Sequence, residues 1–193
     1  MSLILASNSQ IRRQMLSQAG VEVEVRSPDF DEEEAKRSIA DGAQDLALRM
    51  AIGKAGSIAT GADDWVIGSD STVMVDGVAY SKPGDRGRAA DHLRAFSGRT
   101  MLLSSAVALA RQGRVEWSHA ETARLEVRAL SESFIDEYLD AEWPDVGYCV
   151  GVFRMEGRGV TLFDRVEGSH FTVLGMPLIP LLGALRRLEL MPS

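Results

Sequence analysis

The sequence predicts an α/β protein built on a mixed, twisted sheet with flanking helices. Three observations carry this. Apolar runs of strand length alternate along the chain with segments of helical periodicity. Asp76-Gly77 lies between two short apolar runs as a strong two-residue hairpin signal, which argues against a purely parallel sheet. A chain of 193 residues with 45% hydrophobic and 25% charged residues supplies an ordinary core, enough for one domain or for one domain with two lobes.

The elements follow in order. Leu3 to Ala6 reads as a short buried strand running into the polar turn Ser7-Asn8-Ser9. A helix follows with Ile11, Met15 and Leu16 on one face and Gly20 as its stop. Val21 to Val25 alternates apolar and acidic residues, the pattern of a half-buried strand. The acidic segment Asp29 to Glu34 leads into a helical region with Leu46, Met50, Ala51 and Ile58 on its apolar face, and Lys54 on the same element. Trp65 to Ser69 reads as a core strand ending in Asp70; Val73 to Val75 and Val78 to Tyr80 flank the hairpin turn. Asp85 is a candidate cap for a helix running to about Phe96. Thr100 to Ala110 and Val115 to Val127 read as two long strands around Gln112-Gly113, and Ser131 to Leu139 as a capped helix. A glycine-rich stretch from Gly151 to Gly159 precedes an expected strand at Val160 to Phe163, and Pro177 to Leu188 closes the chain as a helix.

The formal net charge of -7 leaves no overall basic footprint for a nucleic-acid polymer, although a pocket can be locally basic on an acidic protein. Cys149 is the only cysteine, so no internal disulfide forms, which suits a reducing compartment. The first residues are too soon interrupted by polar side chains for a secretory signal, and no apolar run approaches the roughly 20 residues that span a bilayer. A cytoplasmic protein without a membrane partner is expected.

Ser7-Asn8-Ser9-Gln10-Ile11-Arg12-Arg13, between the first strand and the first helix, carries the strongest chemical signal. Backbone N–H groups at a helix start attract anions, and hydroxyls add donors. Two arginines in the first turn oppose the helix dipole, a local cost that a bound polyphosphate would offset. Alternatively Ser9 merely caps the helix and the arginines are solvated; both readings stand at this point. Asp70, at a strand end, could hold a metal ion or deprotonate a water, or serve only as a turn aspartate. Lys82 is a second candidate cation or an exposed loop lysine. Glu32, beside Asp31 and Glu33, could add metal ligands, or the run could be a solvated loop. The chain has no G-x-x-x-x-G-K-[ST] loop, no G-x-G-x-x-G, no G-x-S-x-G elbow and no zinc-like grouping of His92, His119, His170 and Cys149. Phosphate chemistry stays ahead by elimination.

Taken together, these residues resemble the Maf family. Leu5-Ala6-Ser7-Asn8-Ser9-Gln10-Ile11-Arg12-Arg13 is similar to its N-terminal L-A-S-x-S-P-x-R-R motif, Asp31-Glu32 to its acidic pair and Lys54-Ala55 to its lysine-alanine. Ile67-Gly68-Ser69-Asp70 resembles the strand with its catalytic aspartate; Lys82-Pro83 and Phe96-Ser97-Gly98 resemble its G-K-P and L-S-G. Val166-Glu167-Gly168 and Leu174-Gly175-Met176-Pro177-Leu178 resemble its last two segments, so the ordered match runs from about Leu3 to about Leu188. The resemblance implies two lobes around a deep cleft, as in inosine triphosphate pyrophosphatases, and often a homodimer. It implies metal-dependent attack of water on the α-phosphate of a nucleoside triphosphate, with Mg²⁺ or Mn²⁺ as the cofactor and pyrophosphate as a product. By position, Asp70 would be general base or metal ligand and Glu32 would assist the metal. Lys54, Lys82, Arg12 and Arg13 would hold the phosphates, and Ser7 would donate hydrogen bonds.

Within the family, a subgroup acting on dTTP and UTP typically has Gln in the late glycine-rich segment, whereas one preferring 7-methyl-GTP has Glu. Glu156, followed by Thr161-Leu162-Phe163, resembles the second, and a carboxylate suits the N–H edge of a cationic methylated guanine. Several positions depart from the family pattern. Gln10 replaces proline, Ile11 an aromatic residue, Ser71 a glutamine, Ser81 a glycine, and Ser104-Ser105 a Thr-Gly pair. Ile11, Ser71 and Glu156 fall where the family chooses its base, so dTTP or UTP remains the alternative substrate. The rival of another class is a non-catalytic nucleotide-binding regulator of cell division; the retained Asp70, Lys54 and Lys82 weigh against it, while Ser71 favours it.

Overall fold

The computed structural model describes residues 2–32 and 42–192. Residue Glu33 of the acidic run lies outside the described residues, as does the start of the helical region expected after it. Seven strands and six α-helices are described. In chain order they are β1 (Leu3–Ala6), α1 (Gln10–Gln18), β2 (Glu24–Arg26), α2 (Ala43–Gly56), β3 (Trp65–Val75), β4 (Val78–Tyr80), α3 (Arg86–Phe96), β5 (Thr100–Arg111), β6 (Arg114–Val127), α4 (Glu132–Glu142), β7 (Phe163–Glu167), α5 (His170–Leu174) and α6 (Leu178–Arg187). The strands form one sheet in the order β2-β1-β3-β5-β6-β7, with β4 also paired to β3. β1 runs parallel to both β2 and β3, whereas β3–β4 and β6–β7 are antiparallel. The expected mixed α/β sheet is therefore present. Among the described residues no helix is long and apolar enough to cross a membrane.

The chain divides into two compact units, the first comprising 1–71, 104–121 and 169–193, the second 72–103 and 122–168. In the first unit the two-residue alternation of the strands determines what each face packs against. Leu5, Trp65, Ile67, Val107 and Leu109 pack with Met15 and Leu16 of α1 and with Leu178, Leu181, Ala184 and Leu185 of α6. On the other face Ala106, Ala108 and Ala110 of β5 meet Ala47, Ala51 and Ala55 of α2. Small side chains on both partners bring helix and sheet close together. A Cβ on Gly68 of β3 would strike the Ala51 carbonyl oxygen and the Ala55 amide nitrogen, so only glycine fits there.

In the second unit α3 buries Ala89, Ala90, Leu93 and Phe96, and α4 buries Ile135, Tyr138 and Leu139. Asp85 caps α3 by accepting from the Arg88 N–H at 2.8 Å, and Ser131 caps α4 by accepting from the Phe134 N–H at 3.2 Å. The ion pairs Arg94–Glu132 and Arg86–Asp140 join the two helices. The hairpin turn has positive φ at both Asp76 and Gly77, and the β5–β6 turn repeats this at Gln112 and Gly113.

Three elements differ from the sequence reading. β2 is Glu24–Arg26, not 21–25, because Val21 is taken into the end of α1. Gly20, at φ 74°, lets the Val21 N–H return to the Leu16 carbonyl, and Val21 is buried there. β3 does not end at Asp70 but continues to Val75, so Asp70 lies inside a strand. The strand expected at 160–163 is instead a 3₁₀ turn, Arg158–Leu162, and β7 begins only at Phe163. There the Thr161 hydroxyl donates to the Arg158 carbonyl at 2.7 Å, a local bond that competes with extended backbone.

Candidate active site

Lys54 lies on the apolar stripe of α2, in line with Ala47, Met50, Ala51 and Ala55, and only 6% of it is exposed. An ammonium buried on such a stripe needs compensating charge. Its Nζ lies 2.6 Å from Asp70 Oδ1 and 2.7 Å from Glu32 Oε1, so one cation joins two carboxylates. Alternation along β3 explains the pairing with Asp70. Residues 66, 68 and 70 share the face that meets α2, and Gly68 allows the close approach that brings Lys54 to it.

The opposite parity, Ser69 and Ser71, belongs with Arg12. The Arg12 side chain donates from Nε to the Gly175 carbonyl at 2.9 Å and from Nη1 to Ser69 O at 3.0 Å and Ser7 Oγ at 3.2 Å. Its Nη2 donates to Ser71 Oγ at 3.1 Å. Four of its five N–H groups are thus held by protein acceptors. Burial pushes its guanidinium below the ordinary arginine value, against which the charges of Asp70 and Glu32 act. The arginine that seemed misplaced beside a helix N-terminus is therefore a tie between the β1–α1 loop, β3 and the loop after α5. Gly175, at φ 109°, ends α5 and turns its carbonyl to Arg12 and to the Ser69 and Ser71 hydroxyls. Ser71 Oγ also lies 2.9 Å from Ser105 Oγ, whose hydroxyl donates to the Thr172 carbonyl.

Ser9 stands at the N-cap of α1, but its side chain makes no capping bond; its N–H donates to Ser7 Oγ at 3.2 Å. The reading in which Ser9 merely caps the helix is not what the geometry shows. Arg13 is exposed, and Ile11 is half-buried in the first turn of α1. In the second unit Lys82 is exposed two residues after β4, and Glu156 is exposed within the glycine-rich segment. Ser69, Ser105, Thr172 and the Gly175 carbonyl received no role from sequence reasoning. The only sequence signal is for Ser69 and Ser105, small hydroxyl residues at strand positions that hydrophobic side chains would otherwise fill.

Chemically, Asp70 and Glu32 offer hard oxygen donors gathered on one ammonium. No group of three or more His, Cys, Asp or Glu side chains able to hold a metal occurs among the described residues. Two carboxylates nevertheless fit Mg²⁺, which usually takes one or two from the protein and completes its shell with water and phosphate oxygens.

A nucleoside triphosphate pyrophosphatase of Gluconobacter oxydans (strain 621H) is 42% identical over 198 residues, covering 100% of this chain and 97% of that protein. A 7-methyl-GTP pyrophosphatase of Rhizobium meliloti (strain 1021) is 44% identical over 190 residues and covers 96% of both. Among solved structures, the Staphylococcus aureus Ham1 protein aligns over 98% of this chain and 100% of its own with a TM-score of 0.51; at 16% identity it shows likeness of fold alone. The model of the Maf-like protein family matches residues 2–188, and the chain belongs to that family.

Proposed function

We propose that this protein is a nucleoside triphosphate pyrophosphatase, a hydrolase of acid anhydrides, with a base-modified nucleotide, 7-methyl-GTP, as its preferred substrate. The observation that carries the reading is the buried Lys54 ammonium joining Asp70 and Glu32. The relatives' names support the reaction, and Glu156 in the glycine-rich segment supports the base.

In this reaction a water oxygen bonds to the α-phosphorus while the bond from that phosphorus to the α,β-bridging oxygen breaks, releasing monophosphate and pyrophosphate. Asp70 takes the proton of the attacking water. Its Oδ1 is held by Lys54, which leaves Oδ2 as the oxygen to accept that proton. Asp70 and Glu32 would hold a divalent cation, Mg²⁺ or Mn²⁺, whose charge offsets the negative charge that builds on the phosphate oxygens. Arg12 fixes the β1–α1 loop through Ser7, so that the Ser7 hydroxyl and the α1 N-terminal N–H groups would serve a phosphate, while the exposed Arg13 and Lys82 would supply positive charge. Ile11, Ser71 and Glu156 are assigned to the base.

Pyrophosphate release from 7-methyl-GTP, dTTP, UTP, CTP and GTP, with Mg²⁺ or Mn²⁺, tests this for the wild type and for Asp70→Asn. The expected result is turnover of 7-methyl-GTP above the others, abolished by Asp70→Asn. Preference for pyrimidine nucleotides would retain the mechanism and overturn the base assignment. Nucleotide binding without any pyrophosphate would overturn the enzyme in favour of a regulator.

A further inference from the structure

Val152 has φ 56° and is fully buried. A β-branched residue adopts this left-handed conformation only where its surroundings impose it, and such strain gathers at functional sites. Here the imposing groups are identifiable. The Val152 N–H donates to the Cys149 carbonyl at 3.1 Å, and its own carbonyl accepts from the buried Tyr138 hydroxyl at 2.9 Å.

A second hold lies one helical turn further along α4. Glu142 is 7% exposed; its Oε2 accepts from Arg154 Nε and Nη2 at 3.2 and 3.0 Å, and its Oε1 accepts from the Arg158 N–H at 3.3 Å. Arg154 Nη1 also pairs with Asp145 at 2.8 Å. The Gly157 N–H donates to the Arg154 carbonyl, closing the stretch on itself. Residues 152 and 158 are therefore the two feet of a short arch, both fastened to α4, with Glu156 on the arch between them.

Glu156 differs from the acids around it. Its side chain is exposed and makes no hydrogen bond or ion pair among the described residues. The neighbouring cation, Arg154, is already engaged by Glu142 and Asp145. An unpaired carboxylate on a doubly fastened backbone is the arrangement a recognition group needs, since fixing it beforehand removes the ordering cost from binding.

We propose that Tyr138 and Glu142 are positioning residues for substrate selection: they hold the 152–158 arch so that Glu156 meets the base in one fixed place. This rests on the reading of Glu156 as the base-recognising residue.

The test compares Tyr138→Phe, Glu142→Gln, Glu156→Gln and the Tyr138→Phe/Glu156→Gln double variant, each confirmed as folded by its thermal transition. KM and kcat are measured for 7-methyl-GTP and GTP, with hydrogen exchange of the 152–158 amides followed in the absence of nucleotide. Tyr138→Phe should raise KM for 7-methyl-GTP about tenfold, the scale of one lost hydrogen bond, and leave kcat within about twofold. Exchange across the arch should quicken by about the same factor. Glu142→Gln should act in the same direction at 154–158, so the test survives if Tyr138→Phe does not fold. Added to Glu156→Gln, the Tyr138 change should have no further effect on base preference. If Glu156→Gln alters base preference and Tyr138→Phe alters neither KM nor exchange, the positioning role is overturned while the Glu156 reading stands. If Glu156→Gln leaves base preference unchanged, the Glu156 reading itself fails, and the positioning role fails with it.

Discussion

Substituting Gly68 by alanine places a methyl group where β3 presses on α2. The added Cβ would lie 2.9 Å from Ala55 Cβ and closer still to the Ala51 carbonyl oxygen and the Ala55 amide nitrogen. Two of these neighbours are backbone atoms, so no side-chain rotation relieves the contact. The strand and helix must separate by about 1 Å, and overpacking of this kind costs about 1–3 kcal/mol. Folded proteins of this size hold about 5–15 kcal/mol, so the variant should remain folded. The activity loss should be larger, because the same movement draws Lys54 Nζ away from Asp70 Oδ1, now 2.6 Å apart. A misplacement of about 1 Å in a reacting group can cost about 100-fold in rate. Urea unfolding and pyrophosphate release would be measured beside Gly56→Ala on the same helix. There the new Cβ would meet only the Gly113 carbonyl at 3.5 Å, and stability and rate should hold or improve slightly. A Gly68→Ala protein with wild-type stability and rate would refute the claim that this close packing positions Lys54.

Three further outcomes are expected. Ser69→Ala removes a fully buried hydroxyl that serves the Ala106 and Gly175 carbonyls at 2.8 and 3.2 Å, and should cost about 1–3 kcal/mol in urea unfolding with an unchanged slope; a loss indistinguishable from zero would contradict the assigned bonding. Burial, aided by the charge of Glu156, pushes the Cys149 thiol up to about 11. Its alkylation by iodoacetamide should therefore keep rising by about tenfold per pH unit well past the ordinary thiol value of about 8.5. Because the folded thiol holds its proton more tightly than the unfolded one, the native state should lose stability as pH rises from about 8.5 toward 11. A rate that levels off near pH 9 would show the thiol to be free of these surroundings.

Much of the fold was legible because its signals are local. The Asp76-Gly77 turn, the Asp85 cap and the stop at Gly20 each depend on residues within one turn of the chain, and each is found where the sequence put it. Lys54 was visible as a charge on an apolar helical stripe, and Asp70 as a carboxylate at the end of an apolar run. The misreadings arose where a local pattern met a stronger local bond. Val21 was drawn into the α1 cap, and the Thr161 hydroxyl turned a strand-like run into a 3₁₀ turn. What Arg12 reaches could not be read at all, since its carbonyl partner on Gly175 is 163 residues distant. Nor does anything in the Val152 side chain announce a positive φ; the reason lies in the Tyr138 hydroxyl.

That long separation between Arg12 and Gly175 has a consequence for synthesis. The first unit is made of three stretches of chain, the last starting only at Ser169, so a ribosome delivers Arg12 long before its acceptor exists. Until the last stretch emerges, the guanidinium lacks the Gly175 carbonyl and the β1–α1 loop lacks one of its anchors. The sheet face of Leu5, Ile67 and Val107 likewise waits for α6 to cover it. Pairings of such high sequence separation form slowly and leave apolar surface open in the meantime. The Arg12 tie and the covered sheet face are therefore completed together, when the stretch from Ser169 docks.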